Sequence, residues 1–104
     1  MRAIAMALAA ACLASNASAA TPADPIVDIN RACATQRAAV AKFARERGGD
    51  DSFLDRYLTN IANMPREDLT KRKASPPPAT AEHPQQEIDF VMCAISRRLD
   101  QLPK

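Results

Sequence analysis

The chain reads as an all-α protein: a small bundle of three to four helices tied by one disulfide, after an N-terminal signal peptide. Three observations carry that reading. Apolar residues recur at helical spacing in three separate stretches. The only two glycines are adjacent, Gly48-Gly49, and fall between two of those stretches. Two cysteines, Cys33 and Cys93, remain once the leader is set aside. With 104 residues there is room for one small domain. Residues 21–104 form it, with about 21 apolar side chains larger than alanine. Such a supply excludes a two-domain enzyme, a Rossmann or barrel fold and a transmembrane bundle.

Residues 1–20 have the order of a secretory signal. Arg2 gives a positive start, and Ala3 to Ala14 form an apolar run too short to span a bilayer. Ala17-Ser18-Ala19 or Ser18-Ala19-Ala20 supplies the small-residue cleavage site, and Thr21, Pro22 and Pro25 break any helix that continues. The mature chain is then expected to begin at Ala20 or Thr21, in the periplasm or the medium, with no stable membrane insertion. A buried N-terminal helix and a lipoprotein modified at Cys12 are weaker alternatives, since Leu8 stands one position too far upstream for the lipidation pattern. Cleavage removes Cys12. An even count in an oxidising compartment argues for a Cys33–Cys93 disulfide. Two free thiols, a redox-active pair and intermolecular bridges are the alternatives, and the absence of a C-x-x-C spacing disfavours exchange chemistry. Closing a loop of that length contributes about 4 kcal/mol in the chain-entropy account. For so small a core, that is comparable to the entire stability.

The first helix is expected over Pro25–Arg47, with Ile26, Ile29, Cys33, Val40 and Ala44 on one face and Phe43 at its margin. Arg31, Lys42, Arg45 and Glu46 face solvent. Gly48-Gly49 ends the helix in a left-handed turn, and Asp50, Asp51 and Ser52 supply a cap for a second, antiparallel helix over Ser52–Asn63. Phe53, Leu54, Tyr57, Leu58, Ile61 and Met64 form its stripe, with Tyr57 expected as a core ring whose hydroxyl reaches the surface. Pro65 fits the first turn of a short third helix, with Glu67 and Asp68 at its positive end and Lys71, Arg72 and Lys73 at its negative end. Leu69 is its only large apolar residue, so this segment is expected to bury little. Residues 75–86 contain Pro76-Pro77-Pro78 and Pro84 and read as an extended, polyproline-type linker. His83 lies in it as a solvated side chain. A last helix over Gln85–Leu102 carries Ile88, Val91, Ile95, Leu99 and Leu102, with Met92 alongside. Phe90 and Cys93 point elsewhere, so this helix is expected to be central and buried around most of its circumference.

Little of this points to catalysis. One histidine and two paired cysteines make no metal set, and no cofactor is expected. No glycine-rich phosphate loop is present. The carboxylate pairs Asp50-Asp51 and Glu67-Asp68 stand at helix starts, where the backbone dipole accounts for them. With 14 basic against 12 acidic residues, and no aromatic ring near Lys71–Lys73 to stack a base, nucleic acid is not an expected partner.

Cys33 on the first helix, Asp55-x-Tyr57-Leu58 on the second, and Cys93-x5-Leu99-x2-Leu102 at the C-terminal end follow an order similar to that of small periplasmic immunity proteins. Those proteins neutralise the cell-wall amidase toxins of type VI secretion systems. The resemblance implies a secreted, all-helical protein with a periplasmic toxin as its partner, and it carries no toxin-binding residue onto this chain. Periplasmic acid-stress chaperones match in size, helicity and the single disulfide alone.

The expected function is therefore binding of another protein, of immunity or inhibitor type, with a homodimer as an alternative state. A periplasmic stress chaperone and a small enzyme are the rival classes. A neighbouring toxin gene, acid-triggered monomerisation, or activity dependent on His83 or one carboxylate would separate the three. The expected partner surface is Arg66, Lys71, Arg72 and Lys73 with the adjoining linker, because this segment has the least to do with the core.

Overall fold

A computed structural model describes residues 24–103. The expected signal, residues 1–20, and its cleavage sites lie outside them. Five α-helices and no strand occur among the described residues: α1 (Pro25–Ala32), α2 (Ala34–Glu46), α3 (Leu54–Ala62), α4 (Arg66–Ala74) and α5 (Gln85–Gln101). None is long and apolar enough to cross a membrane. Every other helix packs against α5, and α1 also packs against α3.

α1 starts where the sequence places it. Asp24 caps it, its Oδ1 accepting from Ile26 N–H at 2.9 Å, and Pro25 occupies the first helical position. The single helix expected to continue to Arg47 is in fact two. Cys33 leaves helical geometry at φ −108°, ψ 25°. The helical hydrogen bonds on either side survive, Cys33 N–H to Ile29 C=O at 2.8 Å and Arg37 N–H to Cys33 C=O at 2.9 Å. The break is thus a one-residue kink. Ala32 and Ala34 flank it, and alanine is the best helix former, so no local breaker explains it. The constraint on that residue is tertiary: Cys33 is bonded to Cys93 on α5, with Cα atoms 6.0 Å apart.

α2 ends as expected. Gly48 has φ +82°, its N–H reaches Arg45 C=O at 3.0 Å, and Gly49 N–H reaches Ala44 C=O at 2.9 Å. These are the paired bonds of a Schellman motif, which an L side chain at position 48 would strain. The expected cap of the second helix sits earlier in the chain than its first helical turn. Asp50 Oδ1 accepts from Ser52 N–H at 3.0 Å and from Ser52 Oγ at 2.8 Å, closing a turn that leads into α3.

The core joins Ile29, Cys33 and Val40 to Leu54, Leu58 and Ile61 of α3 and to Phe90, Ala94 and Ile95 of α5. Phe90 is fully buried although it lies off the main apolar stripe of α5, as the expected burial around the circumference requires. α4 buries little, as expected, with Leu69 its one buried residue. Leu69 is completely buried within the same core. Pro65 stands at the cap of α4, one residue before its first turn. Residues 75–84 form an exposed strap from α4 to α5. The strap is not extended throughout: Thr80 N–H donates to His83 C=O at 2.9 Å and His83 N–H to Thr80 Oγ1 at 3.0 Å, closing a turn. The last helix begins at Gln85 as expected, so Gln85 and Gln86, which the expected linker also included, belong to α5.

Candidate functional site

Glu87 is the one buried charged residue among those described. It sits in the first turn of α5, where a carboxylate favours the positive end of the helix dipole. Its Oε2 accepts from Tyr57 Oη at 3.2 Å and lies 2.5 Å from His83 Nδ1. Phe53 stacks edge-on against the Tyr57 ring, centroids 5.8 Å apart, and so helps aim the phenol at α5. Burial, and then the neighbouring Glu87 charge, raise the Tyr57 pKa above its ordinary value, so the hydroxyl remains a donor. A buried carboxylate without partners would be costly. Tyr57 from α3 and His83 from the strap supply them.

His83 therefore departs from the solvated linker side chain expected of it. Half of it is exposed, but its ring nitrogen engages a carboxylate that is only 9% exposed. A hint was present in the sequence, since Glu87 follows His83 by four residues. Tyr57 lies 30 positions away and carried no such hint.

Two grooves meet at this cluster. The larger, of about 530 Å³, runs between α3 and α5 beneath the strap, and Arg72 of α4 borders it. Its walls are Ile61 and Met64 on one side and Val91 and Met92 on the other, with Pro77 and Pro78 across. The smaller, of about 260 Å³, lies under Ala81 and Pro84, between Phe43 and Phe53. Arg47 stacks on Phe43 beside it, 3.7 Å from the ring centroid.

The expected partner surface divides. Lys71, Arg72 and Lys73 are exposed in the last turn of α4. None is in an ion pair among the described residues. Arg66 is not part of that face: its guanidinium donates to Pro103 C=O and so ties the start of α4 to the end of the chain. Cys33 and Cys93 are joined as expected.

Two further clusters serve the fold. Arg37 donates to Asp51 Oδ2 at 2.8 Å, to Asn30 Oδ1 at 2.8 Å and to Asp55 Oδ1 at 3.1 Å, binding α1, α2 and the start of α3. Arg97 makes a two-pronged contact with Asp28, at 2.8 and 3.0 Å. Gln101 Nε2 adds a third bond to that carboxylate at 2.8 Å. The Arg97 hydrogen bonds, and then the Gln101 bond, lower the Asp28 pKa to about 2. Among the described residues no three His, Cys, Asp or Glu side chains come together so as to hold a metal ion. Compared with protein-family models, characterised proteins and solved structures, the chain finds no match.

Proposed function

We propose that this is an exported, periplasmic protein that acts by occupying a surface of another protein, as an immunity or inhibitor protein does, rather than by turning over a substrate. The supporting observation is the run Lys71-Arg72-Lys73: three exposed, consecutive cations that take no part in the ion pairs of the described fold, on a helix anchored chiefly by Leu69. Beyond complementing the dipole at the end of α4, these charges have no partner in the described fold. That leaves them free to be chosen for a partner, and they act on the rate and specificity of association. The partner surface they match is acidic.

The test is a pull-down from periplasmic extract with the parent protein and with Lys71, Arg72 and Lys73 changed together to alanine, captured proteins being identified by mass spectrometry. A specific partner is expected on the parent, with its binding weakened by salt. The triple variant should lose most of that capture while its unfolding free energy stays within about 0.5 kcal/mol of the parent. A triple variant that holds the same partner as tightly would misplace the surface. The polar face carrying Arg31 and Lys42 would then be the next to alter.

A further inference from the structure

The larger groove has a composition that solvation of a crease does not explain. Ile88, Val91 and Met92 line one side of it, and Tyr57, Ile61 and Met64 the other. Two of these six are methionines, whose unbranched thioethers adapt to partners of different shape. A volume of about 530 Å³ lies in the range of sites that enclose a ligand.

The strap and the charges say what kind of occupant fits. Along Pro76–Ala79 the backbone carbonyls accept no hydrogen bond among the described residues, and the three prolines have no N–H. The strap thus offers carbonyl acceptors without a partner in the described fold, next to an apolar trough. An extended peptide brings N–H donors to such acceptors, whereas an acyl chain brings none. Of the charged groups at the groove, His83 and Glu87 satisfy each other. Arg72 is left as the charge available to an incoming group, with Lys71 and Lys73 on either side in sequence.

We infer that the groove binds an extended segment of a partner protein, seating one large apolar side chain between α3 and α5 while a carboxylate close by in the same segment pairs with Arg72. The inference rests on the protein-binding reading above and names the chemistry of the partner.

Random linear peptides displayed on phage, panned on the intact protein, test it without knowledge of the natural partner. Recovered peptides should pair Asp or Glu with a neighbouring Phe, Leu, Met or Trp. A synthetic peptide of that sequence should shift the amide resonances of Ala79, Val91 and Met92. It should bind Arg72→Glu about tenfold more weakly, a loss of about 1.4 kcal/mol. The same peptide with its carboxylate exchanged for lysine should prefer Arg72→Glu. Arg72 is exposed, so that variant keeps the fold, which circular dichroism verifies.

No enrichment, enrichment without acidic residues, or shifts confined to other amides would overturn the inference. So would dodecanoate, as the lipid-like probe, moving the groove amides when no peptide does. Failure here with capture still dependent on Lys71–Lys73 removes the groove and leaves the protein-binding reading intact. Recovered peptides with no dependence of capture on those cations do the reverse.

Discussion

α1, α2 and α3 are bound to one another and to α5 by a disulfide, a continuous apolar core and two arginine–carboxylate clusters. α4 also lies along α5, but of the side chains of α4 and the strap only Leu69 is buried, with the Arg66–Pro103 contact and the His83–Glu87 pair as further ties. Residues 66–84 thus have few buried contacts per residue, and segments of that kind open first. The cationic run and one wall of the larger groove lie there. The well-anchored part holds the fold, and the sparsely anchored part carries the surface with the greatest freedom to recognise something.

The largest blow to this contrast should come from the disulfide. Changing Cys33 and Cys93 together to serine is expected to cost about 4 kcal/mol in urea unfolding, and non-reducing peptide mapping of the parent should recover the two cysteines in one linked fragment. A loss below about 1 kcal/mol would mean that the crosslink does not distinguish the two regions.

Leu69→Ala is the next test, at about 3 kcal/mol for a fully buried leucine. Its location should say more than its size. Amide hydrogen exchange is expected to quicken across 66–84 while α2 and the middle of α5 keep their protection. Uniform loss would show that α4 belongs to the same cooperative unit as the rest.

The smallest effect is acid sensitivity in the crosslinked region. Asp28 has a folded pKa of about 2 against an ordinary 3.8. A depressed carboxylate contributes stability that is present above its unfolded value and is lost as pH falls through the folded one. The parent should therefore exceed Asp28→Asn in denaturant midpoint above pH 4, and the gap should close as pH approaches 2. A gap independent of pH over that window would rule out the carboxylate charge as its source.

Much of the local architecture was legible in the chain. Asp24-Pro25 opens α1, Gly48-Gly49 closes α2, and the spacing of Leu54, Leu58 and Ile61 sets the buried face of α3. Each of these signals is complete within a turn or two of helix, where spacing along the chain is spacing in space. The Cys33–Cys93 pairing was also legible, because setting Cys12 aside with the expected signal leaves two of the three cysteines and one intramolecular choice. Leu69 shows the limit of such counting: a single leucine in a polar segment said how much could be buried, but not that it would be buried completely.

The rest depended on which helices came to lie side by side. Between Ala32 and Ala34 nothing breaks a helix, and the kink falls on Cys33, the residue bonded to Cys93 60 positions on. Arg66 looked like one more surface cation until packing brought Pro103 C=O to it, 37 positions away. Tyr57, His83 and Glu87 meet because α3, the strap and the start of α5 converge on one buried carboxylate. A charge withdrawn from water must be satisfied by whatever donors the fold delivers. Periodicity chooses which face of a helix is buried. Packing chooses what that face meets, and here it also produced the groove and its free arginine.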